Sequence, residues 1–344
     1  MSPALRILVA VLVLLGGAVA LGAVHLNRFL DTPVEISNGG VDFEIESGSS
    51  FGAIAAKLEL HGVISSSTML RLYARWTRQA GTIQAGEYFL ESGTTPRTLL
   101  EQFTSGAVRL YSFTIIEGWT RWDLLRALHD HPQLVTTMTD EDWPALLEKL
   151  GAQTRHPEGM FLPETYHFPS KTSDRVVLRQ AYEHMQSALA EEWGRRSEFS
   201  VVGSPYETLI LASIVEKETA RADERPRIAG VFSRRLQKRM RLQTDPTVIY
   251  GIGPGFNGNL TKKDLRTDTP YNTYTRHGLP PTPIAMPGRA ALNAALQPAY
   301  GEELYFVATG LGDGSHQFSA TKAEHDAAVA EYLRRLRSQR MKGQ

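Results

Sequence analysis

The feature that most constrains this chain is "ILVAVLVLLGGAVALGAVHL" at residues 7–26, which follows Arg6 and is uncharged up to His25. In hydrocarbon every backbone N–H and C=O must be paired within the segment, so a run like this folds as a helix. At about 1.5 Å per residue, roughly 20 residues span the roughly 30 Å apolar core of a bilayer. The rival is a cleaved signal peptide, for which "AVA" at 18–20 offers small residues. The apolar run carries on past that site, which favours a single-pass anchor. The amino terminus and Arg6 on one side, against Arg28 on the other, give a weak charge bias. With a short basic tail inside, roughly 315 of the 344 residues are expected on the far side, in a periplasm or outside the cell.

The rest must then fold outside the bilayer, and its composition suits that. Hydrophobic residues make up 42% and charged residues 22%, ordinary globular values that can fill two or three small domains. Lys plus Arg and Asp plus Glu are equal at 37 each, so net charge gives no reason to expect nucleic acid as a partner. With no cysteine, disulfides, thiol nucleophiles and thiolate metal sites are excluded.

Residues 31–42, "DTPVEISNGGVD", read as a linker. A pattern of extended apolar segment, glycine turn, Ser/Thr cap and amphipathic helix then recurs at 43–58, 88–103 and 113–128, with Gly48, Gly93 and Gly118 at the turns. Pro96 suits a first helical turn, and Thr120 with Asp123 approximates a capping box. The spacings are too uneven for a solenoid. With a helix at about 66–79, the first part resembles a diverged LysM module, a βααβ unit that binds N-acetylglucosamine polymers.

The resulting expectation is an α+β protein: a tail and transmembrane helix at 1–30, the linker, a small LysM-like α+β module at 43–110, and a mixed α+β catalytic domain at 111–344. Within the last, 130–172 is dense in Pro and aromatics and reads as a loop or lid. Helices are expected at 173–196, with Val176, Leu178, Tyr182, Met185 and Leu189 near one face, and at 223–240, with a solvated cationic face. The remainder reads as the loops "RLQTDPTVIYGIGPGFNG" and "TDTPYNTYTRHGLPPTPIAMPG", a strand at 303–310, an extended "HQFSAT" and a helix over 322–337.

The chemistry turns on "SIVEKETA" at 213–220, where two glutamates lie two positions apart. At about 100° per residue, Leu211, Ile214 and Val215 fall within roughly 60° of Glu218, whereas Glu216 lies about 160° away over Ala212 and Ser213. Glu218 thus ends an apolar stripe. A carboxyl among aliphatic groups loses hydration in its charged form, its pKa rises, and it can hold a proton near neutral pH as a general acid requires. The alternative is an ion pair with Arg221 or Arg225. There is no HExxH, P-loop or GxSxG elbow; Pro254 in "GIGPGFNG" argues for a plain turn, and scattered histidines argue against a metal site. No cofactor is expected.

The segments "ASIVEKETA", "RLQTDPTVIYG", "PYNTY" and "GLPPTPIAMPG", in that order behind an N-terminal anchor, closely resemble the membrane-bound endolytic murein transglycosylases of the YceG-like family. Thr282 stands where a glycine is usual and Met286 where a small or polar residue is common, which bears on loop geometry. The resemblance implies cleavage of peptidoglycan glycan strands between N-acetylmuramic acid and N-acetylglucosamine, leaving 1,6-anhydro ends. It maps the catalytic glutamate onto Glu218 and implies contact with wall synthases in the membrane. Gln243, Thr244, Asp245, Tyr250, Tyr271, Asn272 and Tyr274 are then candidates for holding the glycan, although the tyrosines could equally be core residues and Asp245 a turn former. Two other readings stay open: a hydrolysing muramidase with Asp245 or Glu164 as second carboxylate, and a non-catalytic peptidoglycan-binding scaffold.

Overall fold

The structure is a computed structural model that describes residues 2–34, 36 and 39–342. The chain divides into two compact units, Met1–Tyr111 with His167–Ser170, and Ser112–Tyr166 with Lys171–Gln344.

The first unit begins with α1 (Pro3–Asp31), whose first turn is capped by Ser2 with Pro3 just inside. Its apolar side chains are exposed from Leu5 to Val24, as suits a helix whose solvent is lipid. One helix, α1, is therefore long and apolar enough to cross a membrane by length and composition. Strand β1 (Val41–Ile45) pairs antiparallel with β2 (Gly86–Leu90), setting Phe43 opposite Tyr88. Between them run α2 (Phe51–Leu60) and α3 (Ser67–Trp76), and α4 (Pro96–Ser105) follows. The order is therefore β–α–α–β.

Alternation in β1 turns Phe43 and Ile45 inward onto Leu58, Leu70, Tyr88, Leu90, Leu99 and Phe103. The same core takes in Phe29, Leu30 and Val34, and Val34 exchanges backbone hydrogen bonds with Gly93 and Thr94 (3.1 and 2.7 Å). Asp31 and Val34, both in the stretch expected as a linker, are thus tied into folded structure; Asp31 pairs with Arg97 at 2.9 Å. Glu35, Ser37 and Asn38 of that stretch lie outside the described residues.

The recurring turn chemistry is present as expected. Gly48, Gly93 and Gly118 all take positive φ (81°, 87° and 78°), and Ser50, Thr95 and Thr120 cap the helices that follow. Thr95 with Thr98, and Thr120 with Asp123, close reciprocal capping boxes.

Strand β3 (Leu110–Thr114) leads to α5 (Arg121–His129). The segment expected to be a loop or lid is more regular than that. It contains β4 (Leu134–Val135), α6 (Trp143–Lys149), β5 (Thr165–Pro169) and β6 (Thr172–Ser173), with β4 and β6 pairing in parallel. Its aromatics make a core, Trp143 lying 5.5 Å from Phe161 with both buried.

The second unit is built on α7 (Asp174–Gly194), α8 (Pro205–Glu218), α9 (Arg225–Gln237) and, later in the chain, α12 (Arg289–Leu296). In α7 the buried face includes Leu178, Tyr182, Met185 and Leu189 as the spacing predicts, but Val176 is turned outward and Val177 takes its place. Helix α8 is buried all round from Thr208 to Val215, so it is a central core helix, not a two-faced one. The segment "RLQTDPTVIYGIGPGFNG" is not loop throughout: Pro246 sits in the first turn of α10 (Asp245–Ile252), and only a 3₁₀ turn follows. After α11 (Lys262–Arg266), the chain returns through β7 (Tyr305–Ala308) and β8 (His316–Ser319), an antiparallel pair, to α13 (Lys322–Lys342).

Candidate active site

The two glutamates end on different sides of α8, and what covers each decides what it can do. Glu216 is enclosed: it accepts the Gly288 N–H at 3.0 Å and lies 3.4 Å from the Arg225 guanidinium, its side chain 5% exposed. One turn earlier Ser213 accepts the Ile284 N–H at 2.9 Å, so two side chains of α8 pin the segment "PTPIAMPG" along it. Met286 in turn exchanges backbone hydrogen bonds with Gly118 and Trp119 (2.9 and 2.7 Å). Glu216 is a fastener.

Glu218 is half-buried and lines an open cleft of about 430 Å³ together with Arg235, Leu242, Gln243, Thr244, Asp245 and Tyr274. Residues of β7 and α13, namely Tyr305, Phe306, Val307, Lys322 and His325, complete its walls. Among the described residues no cation pairs with Glu218. Arg225 is taken by Glu216 and Glu117, and Arg221 by Asp223 and Glu224. Burial raises the Glu218 pKa; a hydrogen bond from Thr244 Oγ1 to Glu218 Oε1 opposes this, the nearby Asp245 charge adds to it, and His316 and the Arg235 guanidinium oppose it by their charge.

Thr244 can reach Glu218 because its turn is stapled down. Gln243 adopts φ 52°, in the left-handed region. Its N–H donates to Thr273 O (3.2 Å) and that of Thr244 to Thr273 Oγ1 (3.1 Å), while Thr247 and Thr273 share a hydroxyl contact of 2.9 Å. All three threonines are buried. Asp245, next along and exposed, accepts from Tyr274 Oη at 2.5 Å.

Five of the eight residues singled out from the sequence therefore come together: Glu218, Gln243, Thr244, Asp245 and Tyr274. The other three do not line this cleft. Tyr250 is buried, 5.3 Å from Trp122 and 4.9 Å from Tyr271. Tyr271 packs on Gly251 and bonds Thr282 through its hydroxyl at 2.8 Å, so the Thr that stands where glycine is usual has a partner. Asn272 is fully buried; its Nδ2 donates to Asp264, Leu265 and Thr267 carbonyls, and its Oδ1 accepts from Tyr274 N–H. An amide so committed has little left for a sugar. Glu164 is elsewhere, paired with His184 at 2.7 Å.

The sequence reading missed Arg235, expected on a solvated face. Its side chain is almost fully buried: Nε donates to Leu304 O (2.6 Å), Nη1 to Leu242 O (2.7 Å), and the guanidinium lies 5.1 Å from the Tyr305 ring. It joins the strand β7 wall to the "LQTD" wall beneath Glu218, without pairing with it. Nothing in "SRRLQKRMR" marks which arginine turns inward, because the carbonyls it serves lie up to 69 residues away. His325, stacked on Tyr305 at 5.2 Å, was missed for the same reason.

Thr244→Val removes the one hydrogen bond that favours the Glu218 carboxylate. A hydrogen bond to a carboxylate favours its charged form, so the Glu218 pKa should climb further when that bond is lost. The alkaline limb of the pH–rate profile should move to higher pH with it.

A second perturbed carboxyl lies in this unit. Glu158 is fully buried, accepts the Arg121 N–H at the start of α5 with both oxygens (3.1 and 3.0 Å), and has its pKa raised by burial to about 8. The Tyr250 hydroxyl faces it without a hydrogen bond of good geometry. Because the folded pKa exceeds the unfolded one, its contribution to stability is complete below about pH 4.3 and is lost as pH rises through 8. Glu158→Gln should flatten that decline in thermal melts taken from pH 5 to 9.

The cleft therefore holds a half-buried carboxyl, Glu218, with no ion-pair partner among the described residues, beside the exposed carboxylate of Asp245. The YceG-like family profile matches residues 43–331, and the chain belongs to that family. A Bacillus subtilis protein named endolytic murein transglycosylase is 33% identical over 91% of this chain and 90% of its own length. A Streptococcus pneumoniae protein of the same name is 28% identical over 84% of this chain, which spans 58% of that longer relative. A crystal structure of a YceG-like protein from Listeria monocytogenes superposes with a TM-score of 0.50 at 29% identity, over 85% of this chain and 99% of that one.

Proposed function

We propose that this chain is a membrane-anchored peptidoglycan lytic transglycosylase. It cuts glycan strands internally between N-acetylmuramic acid and N-acetylglucosamine and leaves 1,6-anhydro ends. The observation that carries the reading is Glu218, a half-buried carboxyl with raised pKa and no cation partner among the described residues, lining an open polar cleft. Family membership and the names of the relatives point to the same polymer.

One carboxyl is enough for this reaction. Glu218 in its acid form protonates the leaving glycosidic oxygen. As carboxylate it then takes the proton of the muramoyl C6 hydroxyl, which attacks its own anomeric carbon. No water is activated, so the second carboxylate of a hydrolase is not required. Internal attack by a well-oriented hydroxyl is equivalent to an effective molarity of about 10⁵ M or more. Thr244 stabilises the carboxylate between the two transfers, and Gln243, Asp245 and Tyr274 offer hydrogen bonds and one ring face to the sugars. In this reading α1 is a single-pass anchor in the inner membrane that leaves the catalytic unit in the periplasm, beside the synthases that make the strands. The β1–α2–α3–β2 module is LysM-like.

Asp245, a second carboxylate in the same cleft, is what favours a hydrolytic reading. Digestion of purified peptidoglycan in ¹⁸O-labelled water separates the two. Lytic products take up no label and are one water lighter than hydrolytic ones; labelled reducing ends would overturn the lytic assignment.

A further inference from the structure

A second cleft of about 420 Å³ opens one residue away from Glu218 along the chain and one residue away from Asp245. It lies between α5 and α10. Trp122, Pro246, Ile249, Tyr250, Phe256 and Ile284 make it apolar, and Lys217 and Arg126 put cations on it. Arg126 is 69% exposed, its nearest carboxylate being Asp123 at 3.9 Å. Lys217 is exposed and gives one of its hydrogens to Gly118 O at 3.1 Å.

We propose that this cleft binds the peptide stem carried by the muramoyl residue being cleaved, a ligand class of small methyl side chains and free carboxylates. The inference rests on the peptidoglycan reading above and extends it from glycan to peptide. Composition selects the occupant. A stem peptide brings methyl groups and free carboxylates, and here the Thr120 hydroxyl and Asp123 carboxyl accept or donate within the cap of α5. What remains is an apolar wall for methyl groups and two cations for carboxylates, Lys217 and an Arg126 that Asp123 faces at 3.9 Å.

Position agrees with composition. The stem leaves the muramoyl ring from its 3-oxygen, within a few bonds of the anomeric carbon that reacts. Consecutive Cα atoms are about 3.8 Å apart, so the two clefts have neighbouring backbone at Lys217–Glu218 and at Asp245–Pro246, within reach of a branch on a ring held at Glu218.

The test compares kcat/KM for the full chain on peptide-bearing strands and on the same strands stripped of stems by an amidase. The wild-type chain should prefer the peptide-bearing strands about tenfold or more, mostly through KM. Lys217→Ala with Arg126→Ala should bring that ratio close to one. Ile249→Ser should lower it as well, through the apolar wall. The ratio is the readout, so a variant that folds less well still reports. Anhydro products with a wild-type ratio near one, or a ratio unmoved by the variants, would overturn the peptide site and leave the transglycosylase reading intact. Absence of anhydro products from both substrates would instead overturn the underlying activity.

Discussion

Glu218→Gln should abolish anhydro-end formation on purified peptidoglycan while leaving strand binding and thermal stability close to those of the parent chain. General acid–base transfer contributes about 10²–10⁴-fold to turnover, and here a single group performs both transfers, so the loss should reach or exceed the upper part of that range. The amide is the same size and its oxygen can still accept from Thr244 Oγ1, so the wall of the cleft keeps its hydrogen bond. It also removes a carboxyl that burial already disfavours in its charged form, so no stabilising ion pair is lost. A scaffold that only binds strands would keep its function in this variant, which makes the pair of readouts decisive against that reading. Co-sedimentation with insoluble peptidoglycan measures the binding.

Glu216→Ala should do the reverse. It leaves the Arg225 guanidinium, 11% exposed, with only the more distant and exposed Glu117 at 3.6 Å, and it orphans the Gly288 N–H. Removing one partner of a buried pair costs about 3–5 kcal/mol. For a unit of this size 1 kcal/mol moves the melting temperature by about 2–4 °C, so a fall of about 10 °C is expected. Products from the folded fraction should still carry anhydro ends. Glu216→Gln, which keeps an acceptor for Gly288 and loses only the charge, should fall between the parent and Glu216→Ala in a melting series. Two glutamates of one short motif would thus separate cleanly, one into stability and one into turnover.

The different surroundings of Glu216 and Glu218 are legible in outline in the sequence. Helical geometry sets Glu216 and Glu218 on opposite sides of α8, and they do face different partners. An apolar stripe alone does not distinguish them, because α8 is buried on every side from Thr208 to Val215. The environment of Glu216 comes from "PTPIAMPG", about 70 residues later, and periodicity within one helix cannot report that. The turns at Gly48, Gly93 and Gly118 were readable because caps and positive φ are local chemistry. Helix α10 was not, since eight residues ending in a glycine-rich turn carry too little pattern to separate helix from loop.

The site divides in the same way. Residues close in sequence to a motif, such as Thr244 and Asp245, were found together with Glu218 in one cleft. Asn272 and Tyr271 belong to an equally conspicuous motif, yet their polar atoms serve the loops that hold the cleft in shape. A motif names residues that matter, and only the fold says whether they face substrate or the backbone. Arg235, Tyr305 and His325 reach the cleft from helices and a strand with no motif of their own, and their arrival depends on long-range packing.

The account turns on the proton affinity of Glu218, and difference infrared spectroscopy of the parent chain against Glu218→Gln reads that group alone. The protonated-carboxyl band lost in the variant should persist above the ordinary glutamate range near pH 4.3, because burial raises the pKa of this carboxyl. A band that titrates at or below that ordinary range would mean that Glu218 is already ionised when the glycosidic oxygen needs its proton, and the one-carboxylate mechanism would be contradicted.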